Sequence, residues 1–253
     1  MPATSHETGP CGPCRRVGGV SGHLNPGGQQ FRGDRGAADP LLTAALAAYH
    51  VGQGSEQAAL DALAAARLLV PVIAEQSHKD QSHKDRSGGD KDSEMVLPTL
   101  IGRDGRPAVL AFTGLDALAR WRPDARPVPA EADRVWRAAV ADGCAVVIDV
   151  AGPVPLAVEG ARLAALAAGQ PVPPPHEDLD VRAEVQAAVA AEPAIAGFSL
   201  APGHPGAADL AITLHLAPRQ DADLGSAVNR AAAGIATRLG ARLRRGIEVV
   251  IAE

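Results

Sequence analysis

Between Gly169 and His176 the chain reads Gln170-Pro171-Val172-Pro173-Pro174-Pro175, and no helix or strand can run through it. Proline fixes φ and lacks the backbone N–H that both hydrogen-bond ladders need. The composition is that of a semi-rigid, extended connection. It divides the 253 residues into a linker at 171–177, an N-terminal domain at 40–170 and a small C-terminal domain at 178–253. Each part has room for its own core.

The C-terminal part is the more regular. A helix over 180–191 places Val181, Val185 and Val189 four residues apart, and a strand follows at 195–200. Leu210, Ile212, Leu214 and Leu216 then alternate with Asp209, Thr213 and His215, the pattern of a half-buried antiparallel strand. Leu224, Val228, Ala231, Ile235 and Leu239 form one helical stripe, with Asp221 and Asp223 at its positive end and Gly240 at its stop. With a last strand at 247–251 this predicts an α-β-β-α-β sandwich-type unit, two helices on one face of a small sheet.

The N-terminal part mixes the two periods. Asp39 can cap a helix starting at Pro40, whose missing N–H loses no partner there, with Leu42, Leu46 and Tyr49 inward. A helix at 56–66 carries Leu60 and Leu63 and leads into an apolar strand at 68–73. A strand at 95–101 is joined by Arg103-Asp104-Gly105-Arg106 to one at 108–112, because Asp-Gly favours hairpins. Thr113 and Asp116 read as a capping pair for a short helix with Leu115 and Leu118 inward, stopped by Pro123. A helix at 133–141 has Val135, Trp136, Ala139 and Val140 on its apolar face. The run 144–148 is apolar on both faces, as a central strand is, and a helix at 161–168 closes the domain. The fold class is therefore α/β (α+β), a mixed-sheet domain followed by the smaller one.

Residues 1–39 are rich in Gly, Pro, Ser and Arg and show no period, so they read as a disordered tail. Residues 76–92 read as a flexible inserted loop. It duplicates Gln76-Ser77-His78-Lys79-Asp80 as Gln81-Ser82-His83-Lys84-Asp85 and holds every lysine of the chain, Lys79, Lys84 and Lys91. Aromatic residues make up 2%, so the cores must be packed from Ala, Val, Leu and Ile. Net charge is −5. With so few aromatics, neither the basic footprint nor the stacking platform of a nucleic-acid binder is present. No run of about eighteen apolar residues occurs, which excludes a membrane helix. Residues 1–30 are polar and glycine-rich rather than leader-like, and three cysteines are too few for a disulfide framework. The expectation is a soluble, cytoplasmic chain.

Several segments together carry a resemblance. Phe31-Arg32-Gly33-Asp34-Arg35-Gly36-Ala37-Ala38-Asp39-Pro40 through Ala66-Arg67-Leu68-Leu69-Val70-Pro71-Val72 resembles the SseB family as it occurs in actinobacteria. So do, in order, Met95-Val96-Leu97-Pro98-Thr99-Leu100, Asp104-Gly105-Arg106, Ala111-Phe112-Thr113, the run from Leu118-Ala119-Arg120-Trp121-Arg122-Pro123 to Pro129, and Asp149-Val150-Ala151-Gly152-Pro153. The resemblance covers roughly residues 31–170. It implies an α/β domain, often followed by a second small one, with no established enzymatic activity. Members are sometimes labelled type III secretion SseB-like, but this chain has neither the heptads nor the apolar spans of a filament or pore component.

No candidate site assembles a mechanism. Cys11-Gly12-Pro13-Cys14 has thioredoxin-like spacing, but Gly9-Pro10 before it and Arg15-Arg16-Val17-Gly18-Gly19 after it offer no helix N-terminus to lower a thiol pKa. The same pair with His6 or His23 matches no closed zinc pattern, and His78 and His83 lie in the duplicated loop. Cys144 reads as a small buried core residue. Asp149 follows a strand, where open α/β sheets place functional groups, yet has no evident base, nucleophile or metal partner. Arg238, Arg242, Arg244 and Arg245 make a basic patch suited either to an acidic partner or to a helix C-terminus. Trp121, Arg122 and Arg126, among prolines, offer a stiff, cationic, aromatic surface for a protein partner or ligand; the bland alternative is Trp121 in the core and Arg126 paired with Asp124. The sequence thus predicts a non-catalytic regulatory or protein-interaction module without cofactor or metal. The alternative is an enzyme of unrecognised chemistry, working through the Cys11/Cys14 thiols or the Asp149 region.

Overall fold

The computed structural model describes residues 31–76, 93–102, 105–218 and 224–252. Helix α1 (Pro40–His50) starts as the sequence predicts, with the Asp39 carboxylate accepting the N–H groups of Leu41 and Leu42. Ser55 caps α2 (Glu56–Ala64) through the Ala58 N–H. Strand β1 (Arg67–Gln76) pairs antiparallel with β2 (Ser93–Val96). Strand β3 (Thr99–Ile101) pairs antiparallel with β4 (Pro107–Ala111). The strand expected at 95–101 is thus two strands in two sheets, split at Leu97-Pro98, where proline cannot donate to a ladder.

Helix α3 (Leu115–Trp121) differs from expectation at its start. Its cap residue is Gly114 and no side chain caps it. Leu115 is exposed, and Ala117 and Leu118 are the buried residues. The proline-bearing stretch after it is strand β5 (Arg126–Glu131), which pairs antiparallel along β1 from Arg67↔Glu131 to Val72↔Arg126. Helix α4 (Ala132–Ala141) buries Val135, Trp136 and Ala139, whereas Val140 is exposed. Strand β6 (Ala145–Ile148) runs parallel to β4 and antiparallel to β7 (Leu156–Val158), and α5 (Gly160–Ala167) follows. The orders are β2-β1-β5 and β3-β4-β6-β7. Leu69 and Phe112 stitch the two sheets together by exchanging both backbone hydrogen bonds, at 2.7 and 2.8 Å.

Both faces of the stitched sheets are covered, which explains their apolar runs. Leu68, Val70, Ala111, Val146 and Ile148 pack with Trp136, Leu60 and Leu163 on the side of α1, α2, α4 and α5. Leu69, Leu110 and Phe112 face Ala117 and Leu118 of α3. Side chains of successive strand residues point to opposite faces, so one strand feeds both cores.

The C-terminal part comprises α6 (Leu179–Val189), β8 (Ile195–Pro202), β9 (Leu210–Leu216), α7 (Leu224–Leu239) and β10 (Ile247–Ala252), in sheet order β10-β9-β8. Strand β9 is antiparallel to β8 and parallel to β10. Leu210, Ile212 and Leu214 are buried against Val181, Val185, Ala231, Ile235 and Leu239. At the start of α7 the inward residue is Ala227, and Leu224 is exposed. Asp221 and Asp223 lie outside the described residues. In the connection between the parts, Val172 is buried in the N-terminal core.

Candidate functional site

Because β4 and β6 are parallel, their carboxyl ends open on the same side, the position where α/β sheets gather ligand-facing groups. Thr113 follows one strand and Asp149 the other. Among the described residues Asp149 is the one non-glycine with positive φ, at 48°, a conformation a short carboxylate tolerates because it can hydrogen-bond locally. Its side chain is buried and both oxygens are occupied. Oδ1 accepts the Thr113 N–H at 2.8 Å and Oδ2 accepts the Thr113 hydroxyl at 2.7 Å. Burial pushes this carboxyl up from its ordinary range, and the two Thr113 hydrogen bonds and the Arg120 charge pull the other way. The hydroxyl expected to cap α3 is thus engaged by Asp149 instead.

These two residues line a crevice of about 510 Å³, with Leu46, Leu115 and Val154 among its apolar walls and Arg35 and Arg120 as its cations. One rim is residues 35–38, the end of the segment read from sequence as tail. Arg67 holds it in place: Nε lies 2.8 Å from Asp34 Oδ2, Nη2 donates to the Ala37 carbonyl, and Nη1 donates to the Thr113 carbonyl at 3.1 Å. Gly36, at φ +75°, accepts the Leu115 N–H at 2.8 Å, and a Cβ there would enter the Leu115 side chain. Among the described residues no histidine, cysteine or lysine lines the crevice. Asp149 is thus engaged by Thr113 rather than by a base or nucleophile, and the second carboxylate of the lining is Asp116.

The Trp121 corner lies at the other end of α3. Trp121 is half-buried, its ring centroid 5.5 Å from that of Phe112 and tilted by 33°. The Arg122 guanidinium sits 6.0 Å from the Trp121 centroid and pairs with Asp124 at 3.3 Å. The acid pairs with Arg122, not Arg126, which is exposed at the start of β5. Trp121 and Arg122 are thus in contact at the end of α3, and Arg126 follows at the start of β5; none of the three lines the crevice.

The other candidates separate. Cys11, Cys14, His6, His23, His78 and His83 lie outside the described residues. Cys144 is a buried free thiol, its pKa raised by burial and by the Asp142 charge. Among the described residues no group of three or more His, Cys, Asp or Glu is placed to hold a metal ion, and no helix is long and apolar enough to cross a membrane. The C-terminal arginines are largely engaged within the molecule. Arg238 pairs with Glu184 at 2.9 Å and Arg245 with Asp209 at 2.7 Å.

Arg242 belongs to a cluster that sequence reasoning missed. Its Nε donates to Glu56 Oε2 at 2.8 Å and its Nη2 to Asp178 Oδ2, while Arg162 Nη1 donates to Glu56 Oε1. Tyr49 donates its hydroxyl to the Arg242 carbonyl at 2.6 Å. All five residues are buried or nearly so. Charge balance across the fold links them, and no local spacing signals that.

Residues 42–165 match the family model described as the SseB protein N-terminal domain, a span that runs from α1 into α5 and carries both Asp149 and the Trp121 corner. No curated protein and no solved structure matches the chain. The chain thus carries an SseB-family N-terminal domain over these residues.

Proposed function

We propose that the chain is a non-catalytic regulatory or protein-interaction module of the SseB family, acting in the cytoplasm, with its partner surface at Trp121, Arg122 and Arg126. The observation that carries this reading is the stack at the corner. Trp121 is fixed from below by Phe112 and overlaid by Arg122. A half-exposed aromatic with a guanidinium on its face is pre-organised, and Trp and Arg dominate the energetics of protein interfaces. The edge beside it favours side-chain recognition. Leu69 turns its N–H and C=O to Phe112, so its neighbours Leu68 and Val70 face Ala130 and Val128 of β5, which leaves Pro127 and Pro129 on the outer edge. That edge lacks N–H donors at both prolines and resists strand addition. The division of the chain at 171–177 belongs to the same reading, with the C-terminal part as an appended domain.

The test is crosslinking from a photoreactive group placed at Asp124, followed by capture with wild type, Trp121→Ala and Arg126→Glu. A partner that crosslinks at the corner and is lost from both variants, with their circular dichroism unchanged, is the expected outcome. A partner set indifferent to both substitutions would overturn the assignment.

A further inference from the structure

A second cleft, of about 610 Å³, lies where β7 and the start of α5 meet α6 and the end of α7. Leu156, Ala157 and Leu239 give it an apolar side, and arginines enter it from both parts of the chain. Arg106 pairs with Glu159 at 3.0 Å and Arg238 with Glu184 at 2.9 Å, and in both pairs each side chain is more than a third exposed. Such exposed pairs are worth about 0–1 kcal/mol, so an incoming anion can take over the Arg238 guanidinium at little cost. Arg244 differs. It is exposed, and among the described residues no carboxylate lies within ion-pair distance of it; the Tyr49 hydroxyl is beside it instead. A further observation comes from the inner wall. Arg162 lines the cleft and is 94% buried by its 6% exposure, yet its Nε has no hydrogen-bond partner among the described residues. Native structures satisfy most buried donors, and an orphan in a cleft wall needs an explanation.

We infer that this cleft binds a small organic anion, its phosphate or carboxylate group held by Arg244 and Arg238 and its apolar body against Leu156, Ala157 and Leu239. Guanidinium groups match oxyanions in two-pronged geometry, and clefts between packed units are common ligand sites. The site is separate from the Trp121 corner and does not depend on the function proposed for it.

Isothermal titration of the full chain at low salt, with phenyl phosphate in one arm and benzoate in the other, tests this. Saturable binding of one equivalent is expected in at least one arm, and the stronger arm identifies the oxyanion. Arg244→Gln and Arg238→Gln should each weaken it by about tenfold or more, as loss of one charge-assisted hydrogen bond does. Arg137→Gln, which removes an exposed arginine paired with Asp133 on α4, should leave it unchanged. Absence of saturable binding in both arms overturns the inference, and so does equal weakening by all three substitutions.

Discussion

At the scale of the residue, Asp149 is the most constrained side chain. Its positive φ restricts the position to Gly, Asn or Asp, and its burial opposes ionisation. A carboxyl raised in the folded chain binds its proton more tightly there than in the unfolded chain. Its contribution to stability is therefore complete below the ordinary value of 3.8 and is lost as the pH rises through the raised folded value. Asp149→Asn removes the charge but keeps the geometry: the amide oxygen can accept the Thr113 N–H, and the amide can donate to the Thr113 hydroxyl. The variant should match or exceed wild-type stability at neutral pH and show a flatter profile from about pH 4 upward, measured by urea denaturation across pH. Asp149→Ala should instead lose about 1–3 kcal/mol, because it strands the Thr113 donors. The sequence marked Asp149 by its place after a strand; it did not show that Thr113 would serve it, since a threonine before a helix also fits a cap.

At the scale of the element, the start of α5 depends on the other part of the chain. The Asp180 carboxylate of α6 accepts the Ala161 N–H at 2.7 Å, an N-cap supplied from nineteen residues away. Gly160 has φ +59°, and a Cβ on it would overlap Asp180 Oδ2. Gly160→Ala should displace the carboxylate as well as strain the backbone, at a combined cost of about 1–2 kcal/mol or more. Asp180→Ala should lose a similar amount, and the double variant should lose less than the sum, since both remove one cap. Additive losses in chemical denaturation would sink this account. Periodicity found nearly every helix and the longer strands, because each presents an apolar stripe or a burst of β-branched residues. It missed β5 and β7. Pro127 and Pro129 argue locally against a strand and are tolerated because they lie on a free edge, and three residues of β7 are too few to show a period.

At the scale of the whole molecule, the connection at 171–177 joins parts that are held together by buried charge. Glu56 and Asp178 balance Arg162 and Arg242, and Glu56 and Asp178 are 3% and 0% exposed. Removing one member of such a cluster leaves the others uncompensated, at a typical cost of about 3–5 kcal/mol. Glu56→Gln should therefore lower the unfolding temperature and split one calorimetric transition into two as the parts uncouple. A single transition at unchanged temperature would show that the cluster does not couple them. Because these charges are shielded from solvent, moderate salt should leave the wild-type transition in place. What the sequence by itself determined is what near neighbours set: the α-β-β-α-β period, the Asp39 helix start, the Pro123 break, and the aliphatic core that scarce aromatics require. Only the tertiary structure decided that Thr113 turns to Asp149, that Arg242 meets Glu56 across 186 residues, and that Asp180 caps a helix of the other part. These are pairings of polar groups distant in sequence, and burial selects them: a charge or donor removed from water must find whichever partner the packed backbone brings within reach.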